Sequence, residues 1–440
     1  MKSFIYLPIE VSRRELCSKT MLAYKLAGQG ISTIIFEHTY FDRYGWKYPG
    51  IYIGKNFFRT EAPHDKKYYN LIKKKNIHIW HLDEEGGIYT KNQEELENFL
   101  EARLDVSQLK DDDRLYCWGE SQKKIFQKKN INKIDIKISG SPNFEILKEK
   151  YNSAYLDFDY KLTKNLKNFI LINTKFVYIN PRKNYEAALG SNSGNDNLRF
   201  KRVWKNYLQE DSFMISEFIN LTDNISKHYK DETIVLRPHP EEDVSIYKFF
   251  LKENPNVIVT NEGPVDSWIR LAKVVLQYGC TTAVQADFAK KPVMTFVPKS
   301  IKNTDFKMDY FSNKIGQEIS NFEDFKFYFD QLDISKDNKE VWIDNISDKD
   351  SIEFFSREII SYVEKDKSFF NHSTPMILKT DLIENTKNFI KNMLNKNAHE
   401  LENFNNISDC FGAASKFFNY KVNTIKINKY CYIVEGKKYE

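Results

Sequence analysis

The chain opens with a short apolar run, SFIYL at residues 3–7, which reads as a buried strand. A helical pattern follows from Glu15 to Ala27, and Gly28 and Gly30 break it before the strand ISTIIFE. This is the start of a βαβ unit. Apolar runs recur at Ile51–Ile53, Ile77–Leu82, Leu115–Trp118 and Ile134–Ile138, separated by charged segments of helical character. Such alternation predicts a parallel sheet with helices on its faces.

Between Tyr151 and Leu166 the chain turns polar and loses its period, and a strong strand, NFILINT, begins at Asn168. A second alternating series runs through TIVLR (233–237), NVIVT (256–260), KVVLQ (273–277) and KPVMTFV (291–297). The predicted class is therefore α/β: two doubly wound, Rossmann-like domains at 1–160 and 161–365 facing a central cleft, then a helical and mixed extension at 366–440. Residues 351–365 and 382–404 read as helices, and 421–440 as mixed strand and tail.

Composition agrees with two cores. The 440 residues exceed the roughly 250–300 that one core accommodates, and 41% are hydrophobic, which excludes wholesale disorder. Lys plus Arg number 66 against 61 for Asp plus Glu, and a charge of +5 over this length is too dilute for a dedicated nucleic-acid binder. The basic clusters Lys73–Lys75 and Lys123–Lys124 suit an anionic lipid or glycan, but equally a solvated helix face. Five cysteines, odd in number and without C-x-x-C spacing, fit a reducing compartment. Glu10, Arg13 and Arg14 interrupt the amino terminus where a signal peptide needs apolar residues, so the expected location is cytoplasmic, at most peripheral to a membrane.

In a doubly wound fold, ligands bind just beyond the carboxyl ends of the strands. Three such places carry chemistry. Arg237-Pro238-His239-Pro240 follows TIVL, and its prolines present the imidazole from a stiff turn, able to meet phosphate or merely filling the turn. Gly279-Cys280-Thr281-Thr282 precedes the helix AVQADFAKK, where two hydroxyls and the first helix amides can converge on an anion, or Thr281 can simply cap the helix. Asp83-Glu84-Glu85-Gly86-Gly87 ends the strand IHIWHL, and its crowded carboxylates suit a general base or an acidic surface turn. His78 and His81 lack a further ligand, so no tightly held metal is expected. Neither a P-loop nor a G-x-G-x-x-G fingerprint is present.

These motifs resemble those of the bacterial surface carbohydrate biosynthesis family, which is similar to the two-domain GT-B sialyltransferases and Kdo transferases. The resemblance rests on HLDEEGG (81–87), CWGESQ (117–122), SGSPNFEIL (139–147), ILINTKF (170–176), RPHP (237–240) and GCTTAVQADFAKKPVMTF (279–296). It implies transfer of a nonulosonic acid (sialic, legionaminic or pseudaminic type) or Kdo from a CMP-activated donor to a glycan or glycolipid acceptor. Inversion, no metal and no cofactor beyond the donor itself go with it. Glu84 would be the base, with Asp83 and Glu85 as its neighbours in an open register. Arg237, His239, Pro240, Gly279, Thr281, Thr282 and Asn173 would meet the donor phosphate and nucleotide. The first domain would choose the acceptor and the second the donor. Threonines replace the family's paired serines, and SPNF departs from its Pro-Arg form. The competing readings are a phosphotransferase using CDP-polyols, a nucleotide-sugar epimerase, and a non-catalytic glycan-binding protein.

Overall fold

Alternate residues of the first strand, β1 (Phe4–Ile9), go to opposite sides of the sheet: Ile5, Leu7 and Ile9 join one apolar cluster, Phe4 and Tyr6 another. A strand buried on both faces has to be covered by helices on both. In the computed structural model, which describes residues 3–39, 48–54, 57–58, 65–84, 93–130, 133–183, 198–332, 338–365 and 404–437, that is the arrangement. The first sheet contains β2 (Thr33–Glu37), β3 (Gly50–Gly54), β4 (Ile77–Leu82), β5 (Arg114–Cys117) and β6 (Asp135–Ile138), all parallel to β1. The second contains β7 (Phe169–Asn173), β8 (Ile234–Arg237), β9 (Val257–Val259), β10 (Ala272–Gln277), β11 (Val293–Phe296) and β12 (Gln317–Ile319), in the order 12-11-10-7-8-9. The predicted α/β class, with two doubly wound sheets, is the observed fold.

The eight helices that bear on the site are α1 (Ser12–Gly28), α2 (Pro142–Glu145), α3 (Asn152–Thr163), α4 (Leu198–His228), α5 (Val265–Leu271), α6 (Thr282–Phe288), α7 (Ser351–Lys365) and α8 (Ile407–Phe418). One of them corrects the sequence reading: Tyr151–Leu166 is not an aperiodic link, since α3 occupies most of it. Its inward positions, Ala154, Tyr155, Phe158, Asp159 and Thr163, include a carboxylate and a hydroxyl, which hides the apolar period. Asp159 is tolerated there because Arg270 of α5 grips both its oxygens at 2.6 and 2.7 Å.

The carboxyl-terminal elements also depart from the expected boundaries. Helix α7 packs on the first lobe, where Phe355 meets Tyr116 and Glu358 meets Lys137 at 2.7 Å. The final hairpin, β13 (Thr424–Asn428) and β14 (Cys431–Val434), extends the first sheet, with β14 antiparallel to β2 and giving the order 13-14-2-1-3-4-5-6. The helix expected at 382–404 lies outside the described residues except for Phe404, and α8 follows it unannounced by the sequence reading.

The two sheets share one apolar cluster that runs from Leu7 through α1 and α3 to Leu171 and Ala283. The lobes are thereby packed together along one side. Phe144 of α2 meets Phe288 of α6 edge to face at 5.5 Å, and Arg13 donates to the carbonyl of Asn261 at 3.1 Å. Among the described residues no helix is long and apolar enough to cross a membrane.

Candidate functional site

In the second sheet the chain leaves β7 toward β8 on one side and later returns to β10 on the other. Connections that diverge in this way open a crevice at the carboxyl ends of the two strands. Asn173 ends β7 directly opposite Arg237 in the register of β8, and Gly279–Thr282 follows β10. The sequence motifs are thus gathered at one sheet edge.

Backbone strain fixes the loop after β10. Gly279 has φ of +59°, and a Cβ there would lie 2.5 Å from Cε of Lys175 and 2.7 Å from Cδ2 of Tyr310, so only glycine fits. Its N–H donates to Oδ1 of Asn313 at 2.6 Å, and that of Cys280 donates to Oε1 of Gln277 at 2.9 Å. The amides of Ala283 and Val284 bond back to the carbonyls of Cys280 and Thr281. Of the first helix amides, those of Ala283 and Val284 are therefore spent internally. Thr281 stands at the N-cap position of α6 but makes no side-chain capping bond, so simple capping does not explain it either.

What the edge offers instead is side chains. Nε of Arg237, Nδ2 of Asn173, Oγ1 of Thr282 and Nδ2 of Asn313 are all buried and find no hydrogen-bond partner among the described residues. Arg237, Asn173 and Thr282 are each less than a tenth exposed. Leaving a buried donor unpaired costs about 1–3 kcal/mol, so four at one edge are not incidental. Charge points the same way. Burial, and then the nearby Arg13, push the Arg237 guanidinium down to about 10, while Asp266, itself raised to about 6 by burial, is the facing carboxyl. An anion with several oxygens answers both the unpaired donors and the crowded cations.

His239 is placed differently. It is exposed, two residues beyond the buried Arg237, and its Nδ1 accepts the Glu241 amide at 3.2 Å, which puts the ring hydrogen on Nε2. Its own amide donates to Glu242 at 2.9 Å, and the Glu242 amide returns a bond to its carbonyl. Glu242 is fully buried and also accepts from Thr174 at 2.8 Å and Tyr247 at 2.6 Å. This carboxylate stiffens the turn as much as Pro238 and Pro240 do. Glu242, Asn313 and Arg13 were not among the site residues read from the sequence; only Glu242, three residues after the histidine, carried a local signal.

The acidic run splits. Asp83 is gripped by Arg103 through both oxygens at 2.6 Å, and its carbonyl accepts the Trp118 indole at 2.7 Å. Glu84 turns the other way, toward α1: Lys19 lies 2.6 Å from Oε1, and the Asn143 amide donates to Oε2 at 3.1 Å. Glu85 lies outside the described residues. Lys19 also reaches the Ile53 carbonyl at 3.2 Å, so the cluster occupies the first sheet's own divergence point between β1 and β3. Beside it Glu15 is driven well above the usual carboxylate range by burial and by Glu84, even though Arg14 and the Glu10 amide bind it. The two lobes' motifs meet through α2, whose Asn143 holds Glu84 and whose Phe144 packs on Phe288 at the end of α6.

No family model matches the chain, and no curated protein matches it. Among solved structures it is similar to the UDP-GlcNAc 2-epimerase of Methanocaldococcus jannaschii in complex with UDP-GlcNAc and UDP, at 14% identity over 82% of this chain and 100% of that one, with a TM-score of 0.43. The Neisseria meningitidis UDP-GlcNAc 2-epimerase bound to UDP-GlcNAc gives 12%, 83%, 100% and 0.46. The wall teichoic acid polymerase TagF gives 13%, 83%, 90% and 0.49.

Proposed function

We propose that the edge formed by Asn173, Arg237, Thr282 and Asn313 binds the phosphate of an activated nucleotide, and that the chain transfers the sugar this nucleotide carries to a glycan or glycolipid hydroxyl. The donor of this reading is a CMP-activated nonulosonic acid or Kdo. The observation that supports it is the set of four buried donors without a partner among the described residues, one of them on Arg237, which Arg13 crowds. The phosphate charge is then met by fixed protein groups, which favour a leaving phosphate without a metal being assigned to the step.

Glu84 is the base in this reading: Asp83 is clamped through both oxygens by one guanidinium, whereas Glu84 is held by two separate groups, Lys19 and the uncharged Asn143 amide. To take a proton from the acceptor, Glu84 has to give up its contact with Lys19 or Asn143, so acceptor binding and base release are linked. His239 donates through Nε2–H from the rim to the departing phosphate. Because the donor set recognises phosphate and not base, a CDP-polyol would satisfy it equally, and that remains the second reading.

Purified protein supplied with CMP-sialic acid or CMP-Kdo and a panel of glycan acceptors is the test. CMP release that His239→Ala depresses by about 10²–10³ and Glu84→Gln abolishes supports the reading. Turnover of CDP-glycerol alone moves the assignment to the second reading, and undiminished turnover in both variants removes the assigned roles.

A further inference from the structure

A second cavity adjoins the anion site without belonging to it. It encloses about 200 Å³ where α1, α3, α8 and the loop after β9 meet. Leu16, Phe158 and Leu162 give it apolar walls, while Ser12, Arg13, Asn405 and Asn406 are polar residues of its lining. None of its described lining residues is acidic. Asn406 holds the N-cap position of α8, yet its side chain makes no capping bond, so the amide is not committed to the helix.

Two lining residues tie this cavity to the anion site. Gly263 accepts a hydrogen bond from Nη2 of Arg237, the residue whose Nε is unpaired. Arg13 donates to Asn261 in the same loop and lies close enough to Arg237 to lower its basicity. The cavity therefore begins where the phosphate-binding arginine ends. Gly263 has φ of +65°, and a Cβ there would press on Leu162, so the loop's close approach to α3 depends on glycine.

Resting on the proposed phosphate site, we infer that this hinge cavity takes the base of the same nucleotide. A flat heteroaromatic ring suits apolar walls on its faces and amides at its edge, whereas a sugar would leave hydroxyls against Leu16, Phe158 and Leu162. Asn side chains offer both a donor and an acceptor, which is what a base edge requires. Among the described residues no carboxylate lines the cavity, so none of them repels the nucleotide. Since the cavity draws on both lobes and on α8, nucleotide binding holds the carboxyl-terminal helix, the hinge and the donor lobe together.

The experiment titrates the full chain with CMP and with ribose 5-phosphate, which has the phosphate but no base, and repeats both with Asn405→Ala/Asn406→Ala and with Ser12→Trp, which fills the cavity mouth. The expected result is that wild type binds CMP more tightly than ribose 5-phosphate, and that each variant loses about tenfold or more for CMP while its ribose 5-phosphate affinity is unchanged. If CMP keeps its full advantage in both variants, the base is read elsewhere and the inference fails while the phosphate site stands. Equal wild-type binding of the two ligands also overturns it. If wild type binds neither, the phosphate site itself is wrong and the inference falls with it.

Discussion

Thr282 carries a hydroxyl that is buried and without a partner among the described residues, so its removal should affect stability and binding in opposite senses. Thr282→Val keeps the shape and deletes an unsatisfied polar group, which is neutral or stabilising to the fold. The same change deletes a donor to charged phosphate, worth about 1.5–3 kcal/mol, so CMP affinity should drop by roughly 10- to 100-fold. Thermal denaturation and calorimetric titration of one preparation check both halves. Asp211 gives a pH prediction. It is buried without a hydrogen-bond partner among the described residues, with Lys175 4.0 Å away, and burial pushes it up to about 7. A raised carboxyl contributes stability that is complete below its unfolded value near 4 and lost as pH climbs toward 7. Asp211→Asn should therefore match wild type near pH 4 and exceed it above pH 7, by an amount on the order of a few kcal/mol at most, in urea titrations across that range. Of the candidate residues, the Pro-flanked His239 and the Gly279 turn had stereochemical signatures in the sequence, Arg237 and Thr282 were marked by their places just after strands, and Asn173 came from the family resemblance. Arg13 and Asn313 could not be found that way, because their roles come from partners far off in the chain.

At the level of elements, the junction between lobes depends on α3 and α5. Arg270 and Asp159 are both almost wholly buried, and the guanidinium also lies over the Tyr155 ring at 4.5 Å. Removing one member of such a pair strands the other charge, so Asp159→Ala should cost about 3–5 kcal/mol. The Asp159→Ala/Arg270→Met double variant should recover much of that loss, as chemical denaturation of both would show. The strands were legible almost throughout because short, wholly apolar runs bounded by charge have few other uses. Helix α3 was not, since its inward face includes Asp159, which makes sense only once Arg270 is seen opposite it. Helix α8 packs its apolar face on Tyr24 and other residues of α1.

Taken as a whole, the molecule closes on itself: the chain's last hairpin shields the β2 edge of its first sheet, and α8 packs on α1. Ending the chain at residue 403 would bare that strand edge and the apolar face of α1. Such a truncation should associate or precipitate at concentrations where the full chain stays dispersed, which light scattering measures directly. The charged cluster around Glu84 and the edge around Arg237 belong to different lobes, and α2 is an element joining them, through Asn143 and Phe144. A crystal structure of the full chain with CMP bears most directly on the central assignment. The predicted result is a phosphate whose oxygens lie within about 3 Å of Arg237 Nε, Asn173 Nδ2, Thr282 Oγ1 and Asn313 Nδ2. A phosphate held at another edge, with those four donors untouched, would contradict it.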